Sequence, residues 1–132
     1  MTWANPDAEL LVRDVLRTAI TSEAKNTGCT TGVPANWQPS SKPHLTVQCD
    51  GAAGHRWPVV SWPTVRVQAR AATADAAKAL AAWAESRLLS HGGTDGVVLC
   101  RSLLQVQPSV DPDTGHPLAW FTVRATVRTV NT

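Results

Sequence analysis

The sequence lacks long apolar runs and a strong charge of either sign, and each absence narrows the possible classes of protein. Its apolar runs are far shorter than the roughly 20 residues that cross a bilayer, so we expect no membrane-spanning segment. The net charge of +2 is too small to indicate nucleic-acid binding by itself, because such proteins usually concentrate basic residues in one patch. The length of 132 residues suits one domain, and we expect a single domain over residues 1–132.

Cysteine is scarce in the sequence and widely spaced. Cys29, Cys49 and Cys100 are an odd number, and no basic segment followed by an apolar run opens the chain. Both features argue against a secreted protein held together by disulfide bonds. We therefore expect reduced thiols in a protein made in the cytosol, with neither a metal nor a disulfide.

Motifs of the common enzyme classes are absent as well. The sequence has no G-x-S-x-G, phosphate-binding glycine loop, H-E-x-x-H or C-x-x-C motif. Asp111 and Asp113 form a carboxylate pair, but the nearby prolines and the following threonine and glycine favour a polar turn. A hydrolase or zinc site on Cys49, His55 and Asp111 remains an alternative, although the spacing matches no common zinc ligand pattern. We expect no enzyme activity and no cofactor.

Two segments alternate between apolar and cationic side chains, as strands with one buried face do. Within Thr64–Ala71, valines and alanines point to one side while Arg66 and Arg70 point to the other. The C-terminal segment repeats this pattern with Arg124 and Arg128. Two cationic strand faces indicate a sheet that acts as a surface and not as a pocket. Rows of like charge repel each other, so we expect phosphate or carboxylate groups opposite these arginines.

Helical spacing of apolar residues occurs in two segments. The first helix follows the capping signal Asn5-Pro6 and extends through Ile20. The second begins after Thr73 and ends before a glycine pair, and its alanine-rich stripe is expected to pack on a sheet. The residues of that stripe are Ala77, Leu80, Ala84 and Leu88.

The order of these elements predicts the fold class. Further strands are predicted at Leu45–Cys49 and at Val97–Val106, which gives the order α-β-β-α-β-β. This order favours an α+β two-layer sandwich, in which a mainly antiparallel sheet of about four strands carries two helices on one face. Val97–Val106 is apolar on both faces, which predicts a central position in the sheet. The arginine face is then left without cover from its own chain.

Two proline-rich segments are predicted to be loops, at about 25–44 and at 51–63. They contain Trp37, Trp57 and Trp62, whose rings could pack on the chain's own sheet, contact a protein partner or stack on a nucleic-acid base. The first loop has few apolar residues. We expect it to be mobile in an isolated subunit and ordered in an assembly.

Five segments, spread over nearly the whole chain, together form a recognisable pattern. They are PDAELLVRDVLRTAI, GVPANW, LTVQCDG, WPTVRVQARAATADAAKALAAWAESRLL and VDPDTGHPLAWFTVRATVR. Their order resembles that of the tail terminator proteins of long-tailed (siphovirus-like) bacteriophages. The resemblance implies a structural virion protein whose subunits form a ring, hexameric in this family, that caps the tail tube, ends tail polymerisation and joins the tail to the head connector.

The same resemblance implies the partners and the location of the protein. The partners would be further copies of the chain, the major tail tube protein and a head–tail connector or neck protein. Genome DNA would pass through the ring without sequence-specific binding. The protein would be assembled in the host cytoplasm and reside at the tail–neck junction of the virion. A neck or head-closure subunit of the same virion is an alternative, and so is a small single-stranded nucleic-acid binding module.

In such a ring the arginines have two possible positions, the lumen or the joint between subunits. At a joint, these arginines would pair with acids such as Glu85 or Asp75 on the outer side of a neighbour's helix. In the lumen they would meet the passing DNA, and tight phosphate binding there would hinder a genome that must move. We therefore expect at least part of the set Arg66, Arg70, Arg124 and Arg128 at the joint.

Overall fold

The computed structural model describes the backbone of residues 3–4, 8–34, 37–56, 60–90, 97–128 and 130–131, and the side chains of residues 9–34, 37–49, 64–90 and 100–126. In chain order, the elements are β1 (Trp3–Ala4), α1 (Ala8–Ser22), β2 (Gly28–Thr30), β3 (His44–Arg56), β4 (Val60–Arg70), α2 (Ala74–Leu89), β5 (Val97–Val110), β6 (Pro117–Arg128) and β7 (Val130–Asn131).

Five of the strands form one sheet in the order β2-β3-β4-β6-β5, and β1 pairs with β7 in a small separate ladder. All neighbours in the large sheet are antiparallel except β2 and β3, which are parallel. The predicted α+β class is confirmed. The sheet has one more strand than predicted because β2 forms within the segment predicted to be a loop at about 25–44.

Both helices pack on one face of the sheet and enclose the core with it. The inward side chains of β4 and β6 are fully buried, as the alternating pattern of the sequence predicts. From the helices, Val12 and Leu16 of α1 and the predicted stripe of α2 complete the same apolar cluster. The stripe packs as expected because alanine lets the α2 backbone lie close to the strands. Its members Ala77, Leu80, Ala84 and Leu88 are at most 7% exposed.

The ends of the helices follow local sequence signals. Thr73 caps α2 by accepting a hydrogen bond from the N–H of Ala76 at 3.1 Å, which satisfies one of the free donors at the helix start. The end of α1 is a Schellman turn, in which the N–H of Lys25 donates to the carbonyl of Ile20 at 3.0 Å. The residue between them that makes this turn is Ala24, whose φ is +54°.

The prediction of a loop at 51–63 is wrong, because β3 continues to Arg56 and β4 begins at Val60. The two strands stay paired as far as the Arg56–Val60 pair, with register shifts after Cys49 and after Ala52. Ala52 lies opposite Pro63, a residue that cannot donate to the ladder. Irregular pairing at this point lets the strands accommodate a proline that the sequence pattern treats as a terminator.

The prediction of a central position for Val97–Val106 is also wrong, because β5 is an edge strand that pairs only with β6 in the large sheet. Cys100 of this strand is buried in the core and Val106 packs against it, but other apolar side chains of β5 are exposed. Leu103 and Leu104 are 51% and 39% exposed, and Val110 is 59% exposed. A continuous apolar run therefore marks an open edge here, a position that proteins commonly protect with charges.

Candidate functional site

The face of the sheet that turns away from the helices carries a group of arginines, which we call the cationic face: Arg66 of β4, Arg124 of β6 and Arg101 of β5. In the β4–β6 ladder, Arg66 and Arg124 are diagonal neighbours. Arg101 lies directly opposite Arg124 on the edge strand and is exposed. Like charges opposite each other across an antiparallel pair repel, so an anionic group of another molecule would stabilise Arg101 and Arg124 on this face.

Arg66 rests on an aromatic ring of the same face. Its guanidinium carbon lies 5.5 Å from the centre of the Trp120 ring, within the range of a cation–π contact. Trp120 lies on the neighbouring strand, two residues from the position opposite Arg66, so the two side chains are diagonal neighbours on one face. The Trp120 ring therefore holds the guanidinium of Arg66 against the face of the sheet.

Arg70 differs from the other arginines because it is buried, with only 5% of its surface exposed. Its guanidinium forms an ion pair with Asp111 at 3.2 Å and faces Gln68 Oε1 at 3.4 Å. The expectation that all of the arginines lack cover from their own chain is wrong for Arg70. Its cover comes from the turn before β6, which alternation along β4 alone could not reveal.

Asp111 organises that turn as well as holding Arg70. Its Oδ1 accepts hydrogen bonds from the N–H groups of Asp113 at 2.8 Å and Thr114 at 3.3 Å. The predicted polar turn is therefore confirmed. The N–H of Asp113 is the main reason that the pKa of Asp111 is lowered, and Arg70 adds to the effect while burial opposes it.

The segment before β3 folds back over this end of the cationic face. Trp37 meets the ring of His116 edge-on, with centroids 5.9 Å apart and an angle of 64° between the planes. Its Nε1 donates to the carbonyl of Lys42 at 3.1 Å. Trp37 thus packs on its own chain, one of the three uses considered above, and encloses with Arg70 and Asp111 a cavity of about 260 Å³. Mobility of the 25–44 segment in the isolated subunit stays a prediction.

His44 lies beside Arg70 on the same face and was not predicted as a site residue. It is 7% exposed, and its Nε2 is 2.8 Å from the hydroxyl of Thr30. Burial lowers its pKa, and the charge of Arg70 lowers it further. A histidine placed directly after a proline-rich segment gives no sequence signal of burial, because its cover is provided by β2.

The acids expected at a subunit joint lie on the helix layer. Asp75 is exposed in the first turn of α2. Glu85 is half-buried, and its Oε2 is buried without a hydrogen-bond partner in the part of the chain that the structure describes. The expected position of Glu85 on the outer side of the helix is therefore only partly correct.

Several predicted residues lie outside the described side chains. Trp57 is outside the described residues altogether. The backbones of His55, Trp62 and Arg128 lie in β3, β4 and β6, but their side chains are not described.

The described residues include no group of three His, Cys, Asp or Glu side chains that could hold a metal ion. Cys29 and Cys100 are buried thiols, and burial raises the pKa of each to about 11. No helix among the described residues is long and apolar enough to span a membrane. In comparisons with known proteins, no family model and no curated protein matches this sequence.

Proposed function

We propose that this protein is a subunit of a ring, hexameric by its resemblance to tail terminators, that caps the tail tube of a long-tailed bacteriophage. The ring ends tail polymerisation and joins the tail to the head connector. The observation that carries the proposal is the cationic face, where Arg101 and Arg124 lie directly opposite each other on the side of the sheet that the helices leave open. An anionic surface of another molecule would relieve the repulsion between them.

The two sides of the subunit support a ring because they differ. The cationic face lies on one side of the sheet. The helix layer, with Asp75 exposed in the first turn of α2, lies on the other. Contacts between unlike surfaces of identical subunits close into rings when the rotation between neighbours allows it.

Asp75 of a neighbouring subunit is the acid best placed to meet the cationic face. It is exposed on the helix layer, whereas the arginines lie on the opposite side of the sheet. No single subunit can therefore bring the two together. We favour this joint over the lumen for Arg66 and Arg124, because strong phosphate binding in the lumen would retard the genome.

Charge reversal tests the joint. We expect the double variant Arg101→Glu and Arg124→Glu to remain folded by circular dichroism and to lose ring formation in size-exclusion chromatography with light scattering. Lys25→Glu, on an exposed residue after α1, is the control and should keep the rings. Arg70 is left unchanged because its reversal would break a buried ion pair. Intact rings from the double variant would contradict the joint and would mean that both arginines face the lumen or solvent.

A single-stranded nucleic-acid binding module is a second candidate, favoured by the contact between Arg66 and Trp120 on the open face. Aromatic rings beside cations are a common platform for unpaired bases. This candidate requires binding that falls steeply with salt and no ring in solution. A neck or head-closure subunit would use the same open face and ring, so only its position in the virion separates it from a terminator.

A further inference from the structure

A cleft between α1 and the parallel pair β2–β3 lies apart from the proposed joint. It has a volume of about 470 Å³, which is within the range of small-molecule binding sites. Its lining brings three nitrogen-bearing side chains together with three threonines, and none of the described residues that line it is an acid. The six residues are Arg17, Lys42, His44, Thr21, Thr27 and Thr30.

Arg17 is held in the cleft without being neutralised. Its Nε donates to the carbonyl of Cys29 at 2.9 Å, and its terminal amino groups make no hydrogen bond within the described part of the chain. Other arginines have carboxylate partners, as Arg87 does with Glu23 at 2.8 Å. A carbonyl partner orients the guanidinium of Arg17 but leaves its charge available to a ligand.

Lys42 supplies a second cation at the other side of the cleft. Its backbone is held by Trp37, whose Nε1 donates to the Lys42 carbonyl at 3.1 Å. Its side chain is exposed, and no carboxylate among the described residues pairs with it. The loop that carries Trp37 therefore fixes the backbone from which this ammonium group extends.

His44 and Gly28 shape the inner wall. Thr30 gives its hydroxyl proton to the carbonyl of Gly32 at 2.5 Å, so in the neutral ring it is Nε2 of His44 that donates to Thr30. Nδ1 then faces Gly28, where a Cβ would lie only 2.6 Å away. A side chain at Gly28 would displace the histidine and fill the wall. After burial, the causes that lower the pKa of His44 are all cations, Arg70, Lys42 and Arg17, which marks the region as electropositive.

We propose that this cleft binds a phosphate group, with Arg17 and Lys42 providing the charge and the hydroxyls of Thr21 and Thr27 providing further hydrogen bonds. A phosphate has three or four oxygens and can engage more of these donors than a carboxylate can. The volume leaves room for more than the phosphate itself, so both inorganic phosphate and a small phosphate monoester fit the chemistry. The site does not depend on ring formation.

Titration with inorganic phosphate at constant ionic strength, followed by the backbone amide resonances of Thr21 and Gly28, tests the proposal. We expect saturable shifts confined to the cleft. Lys42→Gln should weaken binding about tenfold, the usual effect of losing one charge-assisted hydrogen bond. Lys78→Gln, on an exposed position of α2, is the matched control and should leave binding unchanged. No saturable shift, or the same affinity in Lys42→Gln, would overturn the proposal.

Three further ligands identify the chemistry and its source. Adenosine monophosphate binding more tightly than inorganic phosphate would identify a monoester site, and equal affinities would identify a site for the phosphate group alone. Adenosine should not bind, and acetate should bind at least tenfold more weakly than phosphate, since it has fewer acceptor oxygens. Equal binding of acetate and phosphate, or binding of adenosine as tight as that of its monophosphate, would overturn the assignment to phosphate.

Discussion

Arg70 and Asp111 are 41 positions apart in the sequence, and their ion pair ties β4 to the turn before β6. The pair is largely withdrawn from water, with side-chain exposures of 6% and 15%. Removing one partner of such a pair is costly, because the other charge stays buried without compensation. The pair therefore constrains how the turn closes over this end of the sheet.

We expect Asp111→Ala to lower the free energy of unfolding by about 3 kcal/mol, near the lower end for loss of one partner of a buried pair, because Asp111 retains some contact with water. Urea denaturation measures the change. Asp111→Asn is the matched variant, since its amide oxygen can still accept from the N–H groups of Asp113 and Thr114 while the charge that pairs with Arg70 is lost. If Asp111→Asn kept the wild-type stability, the turn's hydrogen bonds, and not the ion pair, would carry the effect.

His44 should make the protein less stable in mildly acidic solution. Its folded pKa is lowered from 6.5, so in the window just below 6.5 the unfolded chain binds more protons than the folded one. Stability from this residue is therefore present above pH 6.5 and is lost as the pH falls toward the lowered folded pKa. Thermal unfolding of the wild type and of His44→Gln between pH 7.5 and 5 measures this, and the variant should lose less stability. If the melting temperatures of the wild type and of His44→Gln fell equally with pH, His44 would not titrate as proposed.

The position of the cationic residues shows what alternation along a strand can and cannot predict. Arg66 and Arg124 lie on the open face because a period of two fixes the face of every residue in a paired strand. Arg70 shares that face but is buried by a turn and a loop remote in sequence. Arg101 faces Arg124 only through a register with several shifts along β5. No local pattern specifies such a register.

Among the secondary-structure elements, α1 ends with a strained residue. Ala24 adopts a φ of +54°, a conformation that costs a residue with a Cβ about 1 kcal/mol more than glycine. We expect Ala24→Gly to raise the free energy of unfolding by about 1 kcal/mol for this reason. Chemical denaturation would measure it. Ala82→Gly, at an exposed position inside α2, should have the opposite effect of about the same size. Destabilisation in both variants would contradict the Schellman turn.

The helices were easier to predict than the strands because their signals are local. Thr73, the alanine stripe of α2 and the glycine pair after it identify that helix without reference to the rest of the chain. The strands depend on partners. β2 has only three residues, and it forms because it pairs with the start of β3. Pro63 suggested a loop, but irregular pairing with β3 accommodates it.

For the whole molecule, the helices cover one face of the sheet, and the cationic face lies on the other, where Arg101 is exposed and Arg124 is half-buried. The proposed ring uses this division, since the open face of one subunit would meet the helix layer of the next. The phosphate cleft lies between α1 and β2–β3, at the edge of the sheet away from β5. The tests of the ring joint and of the phosphate site can therefore give independent results.

The mass of the native particle tests the central claim most directly. Native mass spectrometry of the purified protein at micromolar concentration and low salt should show a closed oligomer of the 14.1 kDa chain, with six copies as the expected number. The oligomer should dissociate as salt is raised if charge pairs such as Arg66 with Asp75 hold the joint. A protein that remains monomeric up to tens of micromolar at low salt would contradict the ring.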